Sequence, residues 1–146
     1  MATDGLEREI ERRLRDQGIR YTRGRRAVVE ALARSDGPKS VAELSVELGP
    51  TVPVSSLYRS LAVLEAAGVV APHFAVKGIT RYELAEWLAG HHHHVVCTAC
   101  GTVEDIQIPA VYEDQVRALV NEIAAMVSFD PTNHALEIEG RCSKCR

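Results

Sequence analysis

The chain has 146 residues, 46% of them hydrophobic and 25% charged, with a net charge of −3. That length holds one ordinary domain or two small ones, and the composition allows a packed core and excludes a disordered chain. There is no run of about 18 apolar residues, which excludes a membrane-spanning helix. The charged opening MATDGLEREIERRLRDQG lacks the apolar stretch of a secretory signal. The expected location is therefore the cytoplasm, where cysteines stay reduced and paired Cys motifs more often bind metal than form disulfides.

In chain order, residues 4–17 read as a charged helix carrying Leu6, Ile10 and Leu14 at i, i+4, i+8, with Gly18 as its stop. Thr22 caps a second helix, striped by Ala27, Val28, Ala31 and Leu32, which ends in the turn cluster SDGP, 35–38. Ser40 begins a short third helix with Val41, Leu44 and Leu48 inward, broken by GPTVP, 49–53. Residues 54–67 form a fourth helix with Val54, Leu57, Leu61 and Leu64 on one face and Gly68 at its end. VVAPHFAV, a turn at Lys77-Gly78 and ITRYEL then read as a two-stranded hairpin.

Helices followed by a β-wing predict a winged helix-turn-helix over residues 1–84, with the fourth helix as the recognition helix. Its buried stripe leaves Ser55, Ser56, Arg59 and Ser60 on the other side and Tyr58 at the edge, groups suited to phosphates and base edges. Arg20, Arg23, Arg25 and Arg26 make the entry to the second helix basic. The overall negative charge hides an asymmetry. Residues 1–82 hold 13 Lys and Arg against 10 Asp and Glu, whereas residues 83–146 hold 4 against 10. Two modules with different partners follow from that split.

AEWLAG, 85–90, is the expected hinge, and residues 91–146 the second domain. Strands are expected over 91–96, 102–108 and 135–140. A helix over 110–127, opened by Pro109, carries Val111, Val116, Leu119, Val120, Ile123 and Met126 as its apolar positions. So small an α/β module has a thin core and needs a staple, either a metal or a second subunit. The expected class is thus α+β: an N-terminal winged-helix DNA-binding domain plus a small C-terminal α/β domain.

Metal chemistry concentrates in GHHHHVVCTAC, 90–100, and CSKC, 142–145. Cys97, Cys100, Cys142 and Cys145 are the only cysteines, and two Cys-x-x-Cys knuckles build the tetrahedral four-sulfur site of structural zinc. On a strand, successive histidines face opposite ways, so His91 and His93 share one side and His92 and His94 the other. Two further sites are expected. Their other ligands are to be found among His73, Glu83, Glu86, Asp105, Tyr112, Glu113 and His134. Nitrogen and carboxylate ligands suit Zn, Fe(II), Mn or Ni alike. A metalloenzyme would need an open coordination position and a general base, and the chain has no HExxH helix, Gly-rich phosphate loop or nucleophile elbow. A metal-buffering protein would explain the histidines but not the winged helix.

Taken together, RYTRGRRAVVEAL, VSSLYRSLAVLEAAGVV, RYEL, HHHHVVCTACGTVED and NHALEIEGRCSKC, in this order and spacing, resemble the ferric uptake regulator (Fur) family of bacterial metal-sensing repressors. The resemblance implies a homodimer whose winged helices bind palindromic operator DNA and whose C-terminal domains pair for dimerisation. It implies no small organic substrate. It assigns Tyr58 and Arg59 to DNA contact, where the helix face and the basic entry add Arg23, Ser55 and Ser56 as candidates, and the four cysteines to structural zinc. Glu83, His92, His94 and Asp105 match its hinge sensing site, and His91, His93 and His134 its third site. The regulatory ion expected is Fe(II) or Zn(II). A peroxide-sensing, iron-dependent repressor of the same family is the alternative. Three departures stand out. GPKS, 37–40, lacks the histidine many members place before the third helix, leaving His73 as substitute. Tyr112 occupies the spacing of the third site's glutamate, with Glu113 one residue on, about 100° around a helix. No cysteine is spare for the hinge site of the cysteine-using zinc sensors.

Overall fold

The structure, a computed structural model, describes residues 2–74 and 76–146, with residues 2, 3, 74 and 76 described by their backbone alone. Ala75, which the sequence places in the wing, lies outside the described residues. The chain divides into two units, Met1–Gly90 and His91–Arg146.

In the first unit, side-chain caps start two of the helices, and apolar stripes join the helices into one core. Helix α1 spans Ala2–Asp16. Thr22 caps α2, Arg23–Ala33, its side-chain oxygen accepting the Arg25 N–H at 3.3 Å. Ser40 opens α3, Val41–Leu48, in a capping box: its hydroxyl accepts the Glu43 N–H, and the Glu43 carboxylate accepts the Ser40 N–H. A 3-10 turn over Gly49–Thr51 leads to Pro53 and α4, Val54–Ala66. Ile10, Leu14, Val28, Val29, Leu32, Leu44, Leu57, Leu61, Leu64 and Val69 form one buried cluster. Each fully buried Leu contributes about 1.5–3 kcal/mol, so this unit is held by its own core.

Two positions on α4 differ from the expected pattern. Val54, assigned to the buried stripe, is 49% exposed, while Ser60, assigned to the outer face, is buried. With Leu57, Leu61 and Leu64 inward, position 60 lies at i+3 from Leu57 and inside the same stripe. Val54 is the first residue of the helix.

The wing has three strands rather than two. β1, Lys39–Ser40, β2, Val70–Phe74, and β3, Thr80–Leu84, assemble antiparallel in the order β1-β3-β2. The β2–β3 turn passes through Lys77 and Gly78, with φ of 72° and 71°, a left-handed pair that glycine accepts freely and lysine does not. The expected hinge also contains structure. Glu86–Ala89 is a short helix, α5, whose Trp87 and Leu88 pack on the first unit's core. Trp87 Nε1 donates to Gly68 O at 2.7 Å, and the Arg13 guanidinium lies 3.8 Å above its ring.

The second unit holds β4, His93–Cys97, β5, Val103–Ile106, α6, Ala110–Met126, and β6, Glu137–Gly140. The sheet order is β5-β4-β6, with β4 antiparallel to β5 and parallel to β6. Its buried apolar residues are Val96, Cys97, Val103 and Ala124. The apolar positions of α6 are largely uncovered: Val111, Leu119, Ile123 and Met126 are exposed. No helix among the described residues is long and apolar enough to cross a membrane.

Candidate metal centres and nucleic-acid interface

Cys97 ends β4 and Cys100 follows in the turn closed by Gly101 N–H to Cys97 O. Cys142 and Cys145 form the matching turn after β6, which runs beside β4 with Gly140 paired to Cys97. The four sulfurs lie within 4.8 Å of one another, and Cys100 and Cys142 Sγ are 3.9 Å apart. Zn–S bonds of about 2.3 Å in a tetrahedron require sulfur separations of about 3.8 Å. The Cys100 and Cys142 N–H groups donate to Cys97 Sγ at 3.5 and 3.4 Å, holding its thiol down at about 6. Cys145, crowded by Cys142, Cys100 and Cys97, is pushed up to about 12. A cation at the centre relieves that crowding, so the donor set fits zinc.

The strand expected from residue 91 begins at His93, so the pleat of β4 separates only His93 from His94, and His91 and His92 lie in the segment just before it. His91 and His93 converge on Glu113 of α6: His91 Nε2 is 3.1 Å from Glu113 Oε1 and His93 Nε2 is 2.8 Å from Oε2. His134, in the segment before β6, reaches Glu113 Oε1 at 2.6 Å through Nε2. These four groups offer ligand atoms within 4.8 Å of one another. The His93 contact is the main influence holding the Glu113 carboxyl down at about 2, against the upward effect of burial. Glu113 therefore reaches the cluster despite its one-residue offset, and Tyr112 is exposed. His92 and His94 face the other way. Both approach Asp105 of β5, at 3.6 and 3.4 Å from Oδ1, with His94 directly opposite Asp105 in the ladder. Two imidazoles and a carboxylate form an oxygen–nitrogen donor set for a divalent ion.

Among the remaining candidates, His73 lies on β2 opposite Arg81, and Glu83 on β3 opposite Ala71. The two are diagonal neighbours on one face of the wing. On α4, Ser55, Tyr58 and Arg59 are exposed and Ser56 is half-buried. Arg23 is exposed in the first turn of α2. Sequence reasoning missed Arg81, 8% exposed, whose Nη1 donates to Glu43 Oε2 at 2.6 Å and thereby ties the wing to α3. Its signal was an arginine in a strand whose neighbours pack on a core.

A winged helix followed by a small module with cysteine and histidine–carboxylate clusters defines a metal-responsive transcription regulator. The chain belongs to the ferric uptake regulator family, whose sequence model matches residues 16–139. It is 33% identical to the ferric uptake regulation protein of Legionella pneumophila over 94% of this chain and 99% of that one. It is 30% identical to the peroxide-responsive repressor PerR of Staphylococcus aureus over 98% and 95%. Its fold matches the Helicobacter pylori ferric uptake regulator, described with three functional metal binding sites, at a TM-score of 0.75, 26% identity and coverage of 99% and 93%. A zinc-bound manganese uptake regulator matches at 0.68, 30% identity and coverage of 91% and 98%. Members of this family are transcription regulators, not enzymes, and the chain carries a site for structural zinc and sites for a further divalent ion.

Proposed function

We propose that the chain is a cytoplasmic repressor that binds palindromic operator DNA as a metal-loaded homodimer and controls metal-homeostasis genes, with Fe(II) or Zn(II) as the regulatory ion. The observation that carries this reading is the division of four consecutive histidines, at and just before the start of β4, between two carboxylate-bearing clusters beside a four-cysteine centre. His92, His94 and Asp105 would hold the regulatory ion. Glu83 is proposed as a further ligand on the family resemblance, and His73 as the nearest substitute for the histidine that GPKS, 37–40, lacks. His91, His93, Glu113 and His134 are proposed as the third site. A second divalent ion supplies a charge that favours one arrangement of the dimer over another, and only that difference in affinity switches DNA binding. On the DNA side, Tyr58 and Arg59 reach base edges and phosphates, while Ser55, Ser56 and Arg23 position the helix.

The test is operator binding, with a duplex selected from random sequence, titrated anaerobically against buffered Fe(II), Zn(II), Mn(II) and Ni(II). Replacing both histidines, His92→Ala with His94→Ala, removes metal-dependent binding and leaves a folded, zinc-loaded protein. Loss of fold would make the pair structural. Arg59→Ala weakens operator binding at least tenfold, the scale of a base contact worth about 1–3 kcal/mol, with metal affinity unchanged. An effect under twofold removes α4 from the recognition role.

The joining of Asp105 to a histidine pair, together with the similarity to a peroxide-responsive repressor, favours one second reading, an iron-loaded peroxide sensor. Peroxide then releases the operator from the Fe(II)-loaded protein. Under the first reading it does not.

A further inference from the structure

His93 is 1% exposed, and both of its ring nitrogens are engaged. Nε2 faces Glu113 Oε2 at 2.8 Å, and Nδ1 faces the backbone N–H of Leu136 at 3.1 Å. An amide N–H can only donate, so Nδ1 must accept, and the ring is neutral with its single proton on Nε2. The proton on Nε2 then points at the Glu113 carboxylate, where His91 and His134 also converge. That arrangement is complete as a hydrogen-bonded cluster without an ion. It conflicts with ligation, because a nitrogen that binds metal must present a lone pair.

We propose that His93 becomes a ligand only when its proton moves from Nε2 to Nδ1, so that ion binding at the His91/His93/Glu113/His134 cluster breaks the Leu136 N–H···Nδ1 bond. The inference rests on reading this cluster as an ion site. The exchange conserves protons. The Nε2 lone pair is freed, and the Nδ1–H then confronts the Leu136 N–H, two donors that cannot both stay at hydrogen-bond distance. Leu136 must therefore withdraw. It is also the residue whose carbonyl accepts the His94 N–H at 3.2 Å, one step ahead of the β4–β6 ladder that begins at His94 and Glu137. Occupancy of this cluster is thereby linked to the entry of β6 and to His94, a candidate ligand of the other cluster on the same strand.

The experiment uses the full chain with zinc at its four cysteines and His92→Ala and His94→Ala, which leaves this cluster as the remaining histidine site. Long-range 1H–15N NMR reads the His93 tautomer before and after one further equivalent of Zn(II). The expected result is a proton on Nε2 before and on Nδ1 after, with the Leu136 amide losing protection from exchange. A proton on Nδ1 before addition overturns the proposal, as does a proton that stays on Nε2 in the zinc-bound form. Leu136→Pro removes the competing donor and is expected to tighten Zn(II) at this cluster by about fivefold, the equilibrium counterpart of one net hydrogen bond. Unchanged or weaker binding in the folded variant counts against it. If no further Zn(II) binds, the proposal falls together with the third-site reading, while metal-dependent operator binding through His92 and His94 is unaffected.

Discussion

Glu43 shows how one side chain can serve two parts of the DNA-binding unit. Its carboxylate accepts the Ser40 N–H at 2.8 Å, closing the cap of α3, and the Arg81 guanidinium at 2.6 Å, tying α3 to β3 of the wing. Burial pushes its carboxyl up, but the Arg81 and Ser40 hydrogen bonds outweigh that and hold it below the ordinary carboxylate range. A carboxyl lowered on folding contributes stability above its unfolded value of about 4.5, and that contribution is lost as pH falls through the folded value. Glu43→Gln is therefore expected to cost about 1–2 kcal/mol at pH 7, a figure kept small because the carboxylate is partly solvated. Urea unfolding at pH 7 and pH 3.5 checks it: the gap between wild type and variant narrows at the lower pH. A gap independent of pH means that the carboxylate's charge contributes nothing. The cap was legible in the sequence, since Ser-x-x-Glu ahead of an apolar run is a local signal. The Arg81 partner was not, because it lies 38 residues away and no periodicity reports such a pairing. Glu113 is a similar case. Spacing along the chain favoured Tyr112, and only the placement of α6 against β4 decides which side chain reaches the histidines.

At the scale of elements, α2 and α3 were legible because each combines a capping residue with an apolar stripe, and α1 and α4 were legible from their stripes, whereas the four-residue α5 is too short to show one. The two-residue β1 was not legible, because so short a strand carries no alternation, and its pairing with β3 depends on the fold bringing 39–40 beside 81–82. β6 behaves differently from both. All four of its residues are exposed, and its parallel pairing with β4 ends where Gly140 meets Cys97, two residues before Cys142. Little apolar burial holds this strand, so the cysteine centre must. Cys142→Ser is expected to lose the structural zinc and to release β6. The measurement is metal content by mass spectrometry together with amide exchange of 137–140. Protection in β6 should fall to that of an unpaired segment, while amides of α2 and α4, in a unit held by its own apolar core, keep theirs. Retained protection in the zinc-free variant would show that strand pairing alone suffices.

At the scale of the whole molecule, the two units are stabilised by different means. The first buries a continuous cluster of leucines and valines, and the second has four buried apolar residues and a set of metal ligands. The sequence revealed that the small module needs a staple, but it could not show that the α6 stripe stays uncovered within one chain. Leu119 and Ile123 are about half exposed and Met126 is 83% exposed, with Val127 and Phe129 exposed beyond the helix end. An apolar face of that extent, on a chain whose family functions as dimers, is the surface expected to bury itself against its copy. In a two-fold interface every substitution acts twice, so one charge placed in its centre enters as two. Ile123→Glu should therefore weaken self-association at least about 100-fold. Sedimentation equilibrium of the zinc-loaded protein at micromolar concentration would shift from dimer to monomer. Operator affinity would fall with it, because a monomer reaches one half-site. The contact made by a single winged helix is left intact, so its residual binding keeps its dependence on Arg59. A variant that remains a dimer places the interface elsewhere on the second unit. A variant that becomes monomeric yet binds the full operator unchanged removes pairing from the mechanism of repression.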